Sequence, residues 1–319
     1  MRIWPFYLAL VCLLPGCGKT NGPVRLDLVG ANNLTSSDRT VNAADTVATR
    51  LFAESSGDGQ SLRRLTITVA ATPTRRPFLY PAALSAFKLA DVPADSLQTL
   101  LDSTLAPGTR SLVFQTTLTA RATVGTERFE FSVTDSDNNT ATRAYRLTVR
   151  RSDSLVTVQT YTLLARPGRR AAARPYVALR TGLLLPAYAG RPALAQNHRL
   201  IDLVVVETAA GVRLAAPNAP ALIALPDRWP NPRATRLHPT SLDNAGFGNP
   251  STAAQFQNSF NATGPYPNNV ESYTDVLVKG NVIAFETADG RHGFLQIADI
   301  TRTPYTALKL SVRMAKEVL

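Results

Sequence analysis

Hydrophobic and polar residues alternate with period two along much of this chain. Leu65, Ile67 and Val69 alternate with threonines, Phe129, Phe131 and Val133 with polar residues, and Tyr145, Leu147 and Val149 do the same. A period of two places every second side chain on one face, so each run predicts a strand with one buried side. Residues 24–29, 46–53 and 111–121 predict further strands. Asp135-Ser136-Asp137-Asn138-Asn139 separates two of the runs and is rich in turn formers, so 125–149 predicts a β-hairpin. One stretch reads differently. Leu97, Leu100, Leu101 and Leu105 follow Pro93 with helical spacing and predict a short crossover helix.

Beyond residue 151 the pattern continues. A strand is expected over 155–164, then a loop rich in proline and arginine. Residues 200–206 are apolar apart from Asp202, as expected of a strand covered on both faces. Residues 276–286 and 291–297 flank Thr287-Ala288-Asp289-Gly290, and Asp-Gly is the strongest short hairpin signal. Leu308, Leu310, Val312 and Met314 predict a last strand. The expected fold is therefore all-β, with an N-terminal sandwich over 24–151. A second β-rich domain with long loops follows over 152–319.

Two stretches carry a resemblance. Gly125-Thr126-Glu127-Arg128-Phe129-Glu130-Phe131-Ser132-Val133-Thr134-Asp135, followed by Tyr145-Arg146-Leu147-Thr148-Val149, resembles the last hairpin of bacterial immunoglobulin-like domains in surface lipoproteins. That resemblance implies a seven-stranded sandwich lacking the antibody disulfide. Thr181-Gly182, Ile201-Asp202-Leu203 and the run Gly280-Asn281-Val282-Ile283-Ala284-Phe285-Glu286-Thr287-Ala288-Asp289-Gly290-Arg291-His292-Gly293-Phe294 resemble the C-terminal part of bacterial surface lipoproteins of unknown function. This second resemblance implies location and architecture, and no activity.

The amino terminus supports the same location. Arg2 is the only charge before Cys17, and the apolar run up to Leu14 is too short to cross a bilayer, which takes about 18 apolar residues. Leu14-Pro15-Gly16-Cys17 resembles the bacterial lipobox, where the cysteine sulfur takes a diacylglyceryl group. Residues 1–16 are then a lipoprotein signal peptide and 17–23 a tether. The alternative is an ordinary cleaved signal. The absence of aspartate directly after Cys17 resembles sorting to the outer membrane, on an undetermined face. Gly18-Lys19-Thr20 imitates the end of a phosphate-binding loop, but Leu13 stands where its first glycine belongs. Cys12 and Cys17 are the only cysteines, so cleavage and lipidation leave no thiol for catalysis, metal or disulfide.

Composition narrows function further. The net charge of +11 comes mainly from dispersed arginines, which reads as solvated surface and not as a nucleic-acid stripe. No G-x-S-x-G elbow occurs, and His198, His238 and His292 have no metal-ligand spacing. His238 and His292 read as surface histidines, and Glu271 with Asp275 as a solvated helix face. Asp135, Asp137 and Asn139 place hard oxygens at alternate positions, a weak calcium candidate beside the simpler reading of a metal-free turn. No cofactor is expected. Residues 226–273 read as a long loop insertion rich in asparagine, proline, glycine and aromatics. Trp229, Phe247, Tyr266 and Tyr273 there are the candidate ligand-binding residues, either as a glycan platform or as packing against their own domain. The leading reading is a non-catalytic lipid-anchored envelope protein for binding or scaffolding, the first domain a spacer and the second the recognition module. Its partners would be the membrane, through Cys17, and an envelope protein. The alternative is a glycan-binding accessory lipoprotein of polysaccharide uptake.

Overall fold

The computed structural model describes residues 22–57, 59–73, 96–123, 125–150, 158–170, 172–219 and 229–315. The expected signal peptide, Cys17 and most of the expected tether lie outside the described residues. Among the described residues no helix is long and apolar enough to cross a membrane.

Among the described residues the first unit holds eight strands: β1 (Val24–Leu28), β2 (Arg39–Val41), β3 (Thr46–Ser55), β4 (Leu62–Pro73), β5 (Ser96–Thr104), β6 (Ser111–Thr119), β7 (Gly125–Asp135) and β8 (Thr140–Val149). They form a three-stranded sheet, β1-β3-β6, and a five-stranded sheet, β2-β8-β7-β4-β5. The buried sides of the two sheets share one core. Leu26, Val47, Leu51 and Leu118 meet Leu65, Ile67, Phe129, Phe131, Val133, Tyr145 and Leu147. Each fully buried residue of this size contributes roughly 1.5–3 kcal/mol by leaving water. The Tyr145 hydroxyl bonds Thr49 Oγ1 at 2.7 Å across the sheets, so neither buried hydroxyl is left unpaired. The expected hairpin is β7–β8, with Asn138 at φ 69° in its turn.

The predicted crossover helix is not there: Leu97, Leu100 and Leu101 belong to strand β5, and Leu105 directly follows it. The register against β4 shifts between Ile67 and Thr68, pairing Leu101 with Ile67 but Thr99 with Thr68. Leu100 is thus the extra residue of a β-bulge. A bulge lets consecutive residues face the same side, so Leu100 and Leu101 are both buried while Leu97 stays 75% exposed. That interruption of the period-two pattern imitates helical spacing.

The second unit holds β9 (Val158–Ala165), β10 (Tyr176–Ala178), β11 (Leu183–Leu185), β12 (Leu203–Thr208), β13 (Gly211–Ala215), β14 (Arg236–Pro239), β15 (Val282–Glu286), β16 (His292–Thr301) and β17 (Ala307–Ala315). Sheet β11-β10-β12-β13 faces sheet β14-β15-β16-β17-β9 across a core of Leu163, Val177, Leu203, Val205, Leu214, Phe285, Leu295 and Leu310. Among the described residues three short α-helices occur, α1 (Ala195–His198), α2 (Asn244–Gly248) and α3 (Ala253–Asn261), beside short 3-10 turns.

Residues 229–273 are therefore not one long loop. They contain β14, α2 and α3. Helix α3 starts at a capping box, where the Thr252 side chain accepts from Gln255 N and Gln255 Oε1 accepts from Thr252 N. Phe247, Phe256 and Phe260 lie against Val282, Ala284 and Phe294, covering the outer face of the five-stranded sheet. β15 is then buried on both sides, which explains its uninterrupted Val282-Ile283-Ala284-Phe285. The Asp-Gly hairpin joins β15 to β16, with Gly290 at φ 74°.

Among the described residues no sheet runs across the two units, but a core does. Tyr176, Leu185, Tyr188, Ile201, Val204 and Trp229 join the hydrophobic core of the first unit. β12 shows why Leu203-Val204-Val205 is apolar without a break: Leu203 and Val205 face their own domain's core while Val204 faces the junction.

Candidate functional site

The first unit has an open side. β6 ends the three-stranded sheet and β5 ends the five-stranded one. Between them Leu65, Leu101, Ser103, Leu105, Leu112 and Phe114 face a cleft of about 560 Å³. The second unit supplies the other wall: Arg169, Tyr176, Ala187, Tyr188, Gly190, Arg191, Pro192 and Trp229. That volume lies within the range of small-ligand sites, roughly 300–1,000 Å³.

Polar bonds fix the wall in place. Thr116 Oγ1 on β6 bonds the Tyr188 hydroxyl at 2.7 Å. Asn197 of α1 accepts from Gln98 Nε2 at 3.1 Å and donates to the carbonyls of Thr99 at 2.9 Å and Ala189 at 2.8 Å. A buried amide whose bonds reach both units ties them together at this point. The first unit therefore supplies one wall of the cleft and the second unit the other.

Gly190 organises the second wall. Its carbonyl accepts Trp229 Nε1 at 3.0 Å and lies 3.1 Å from His198 Nε2. A Cβ at Gly190 would fall 2.4 Å from the Tyr176 ring, so no side chain fits there. His198 stacks on Trp229 with ring centres 4.2 Å apart, and Tyr176 tilts against it at 5.4 Å. Burial holds His198 below its ordinary pKa and pushes Tyr176 and Tyr188 above theirs. The charged residues of the lining are the exposed Arg169 and Arg191. Among the described residues, the lining holds no carboxylate, imidazole or thiol. The arrangement can enclose an apolar body and attract an anionic end.

The sequence-predicted candidates do not form one surface platform. Trp229 is 2% exposed and lies in the junction core. Phe247 is buried under the helices, Tyr266 is buried in the second unit's own core, and Tyr273 is half-buried beside β13. Trp229 alone reaches the cleft. The other aromatic residues of the cleft are Phe114 and Tyr176, in separate strands, and Tyr188, in a short 3-10 helix (Ala187–Gly190), so no local motif announces them.

All three histidines are buried, His238 and His292 against the surface expectation, because each fills an aromatic or polar niche. His198 stacks on Trp229, His238 on Phe260 at 4.0 Å, and His292 meets Phe260 edge-on. Glu271 and Asp275 lie on no helix. Glu271 accepts both Arg236 Nε, at 2.9 Å, and Nη2, at 2.8 Å, and Arg236 holds its carboxyl down to about 2. In the 135–139 turn, Asp135 accepts from Asp137 N, Asn139 N and Asn139 Nδ2, and Asp137 accepts from Gln60 Nε2. Those oxygens close the turn. Among the described residues no group of three or more His, Cys, Asp or Glu could hold a metal ion.

No family model matches the sequence, and no curated protein matches it. Among solved structures, a DUF4466 family protein from Parabacteroides merdae is similar at a TM-score of 0.36 and 12% identity, covering 92% of this chain and 99% of that one. The sporulation control protein Spo0M from Bacillus subtilis is similar at 0.27 and 10% identity, covering 60% and 78%. Likeness at that level carries no functional argument, so the reading rests on the cleft itself.

Proposed function

We propose that this chain is a non-catalytic envelope protein, anchored at the outer membrane by lipid on Cys17, which binds an apolar or amphipathic molecule between its two units. The cleft carries the proposal: its floor is leucine and phenylalanine, and its two cations are exposed. Among the described residues the lining has no carboxylate, imidazole or thiol, and burial raises the pKa of its two tyrosines, which supports binding over chemistry. The N-terminal unit is read as an immunoglobulin-like sandwich. Its strand order and the parallel pairing of β2 with β8 support that reading, with β5 and β6 as the open edges.

Trp229 supplies the test. Trp4 lies in the leader, so Trp229 is the sole tryptophan of a chain beginning at Cys17. Titrating dodecanoate into that protein is expected to shift Trp229 emission saturably, and Phe114→Glu to weaken binding at least tenfold. A folded protein indifferent to dodecanoate contradicts the reading. Binding on a glycan array without any response to dodecanoate would replace it with the polysaccharide-uptake alternative. Cys17→Ala is expected to release the protein from membranes, and continued retention would refute the anchor.

A further inference from the structure

Residues 154–201 carry seven arginines and no acid. Two of these arginines oppose each other at the base of the loop after β9. Arg166 and Arg174 form an antiparallel bridge, each backbone N–H bonding the other's carbonyl at 3.2 and 2.9 Å. Directly opposed residues of an antiparallel pair project to the same face, so both guanidinium groups share one side. Arg174 is only 2% exposed. Its Nε and Nη1 meet no acceptor among the described residues, nor does Nε of Arg166. No salt bridge among the described residues reaches either side chain. Burial, and next the neighbouring Arg166, lower the Arg174 pKa to about 10, which leaves it a cation at neutral pH.

A buried guanidinium offers donors only, and burying it without an anion is strongly unfavourable. Forked N–H groups on two arginines match the oxygens of a tetrahedral oxoanion. We infer that Arg166 and Arg174 form a binding site for a phosphate group. Arg174 encloses the anion, and the half-buried Arg166 marks the way in. The acid-free stretch around them adds a positive potential that draws an anion there. The site is independent of the cleft reading, since neither arginine lines the cleft. The phosphate is either the free ion or the end of a larger molecule such as a lipid headgroup.

Calorimetry on the full protein in phosphate-free, low-salt buffer tests this, with inorganic phosphate and water-soluble dihexanoyl phosphatidic acid as probes. One-to-one binding is expected for at least one probe, with a loss of tenfold or more in Arg174→Met and a smaller loss in Arg166→Gln. Equal affinity for the two probes assigns the free ion, and tighter binding of the phosphatidic acid assigns a headgroup. Arg174→Lys, which keeps the charge but not the fork, is expected to bind weakly and serves if Arg174→Met does not fold. Phe114→Glu is expected to leave phosphate binding unchanged. The inference is overturned if the folded wild type binds neither probe saturably. It is equally overturned if binding survives intact in Arg166→Gln and in whichever Arg174 variant folds.

Discussion

The second unit treats its arginines in two ways. Arg233 donates to Asp202 at 2.7 Å, to Asp289 at 2.6 Å and to the carbonyl of Arg199 at 3.3 Å. Arg236 donates to both oxygens of Glu271, and to Glu286 at 2.6 Å. Each of these guanidinium groups meets two carboxylates, although their side chains are 21% and 47% exposed. Arg174, more buried than either, meets none among the described residues. If arginines served only to hold this domain together, the deepest would need its acids most, because desolvation rises with burial. The inversion separates two roles. Arg233 and Arg236 fasten loops and strand ends to one another, whereas Arg174 is arranged for an anion from outside the chain.

The largest expected effect lies on the saturated side. Asp202 is 1% exposed and also accepts Leu179 N at 2.7 Å. Arg233→Met leaves that carboxylate without its cation, and the loss is expected to be about 3–5 kcal/mol in denaturant unfolding. Phosphate binding by the folded variant should be unchanged. A loss of phosphate binding would merge the two classes of arginine.

The next effect is a pH dependence. Burial pushes the Asp202 carboxyl from its ordinary 3.8 up to about 6, against the pull of Arg233. A folded pKa above the unfolded one means that the folded state binds the proton more tightly. Its stabilising contribution is fully present below about pH 4 and is lost as pH rises through about 6, up to about 3 kcal/mol in all. Glu271 has the opposite sign in a lower window: its pKa is held down to about 2, so its contribution is present above about 4.5 and lost as pH falls through 2. Stability measured from pH 7 to 4 should therefore rise more in the wild type than in Asp202→Asn. Parallel profiles would contradict the assignment.

The smallest effect belongs to the most exposed network. Arg236→Met is expected to cost at most about 1 kcal/mol, because solvent screens its pairs. A loss as large as that of Arg233→Met would show that burial does not set the ranking.

The strands were legible where one face is buried and the other wet, as in β7 and β8, whose aromatic alternation and Asn-rich turn mark the hairpin. Asp289-Gly290 marked the second hairpin equally well. Legibility failed where two rules compete. The bulge at Leu100 breaks period two and imitates a helix. The capping box Thr252–Gln255 is written in the sequence, yet the surrounding asparagines, prolines and glycines outweighed it. Burial of the three histidines and of Trp229 depends on partners distant in sequence: Trp229 and Gly190, for instance, are joined only through the fold. The cleft is invisible for the same reason, since seven separate segments line it. No local signal marks which of seven arginines between 154 and 201 is buried without an acid.

Thermal unfolding of the wild type and Arg174→Met, in phosphate-free buffer and in excess phosphate, tests the central claim most directly. Without phosphate the variant should match or exceed the wild type, because replacing an unpaired buried cation by a hydrophobic side chain of similar length removes a desolvation cost. Phosphate at about 100 times its Kd should then raise the wild type alone, by about 2.7 kcal/mol. A wild type already more stable than Arg174→Met without phosphate, with phosphate moving both proteins equally, would contradict the account.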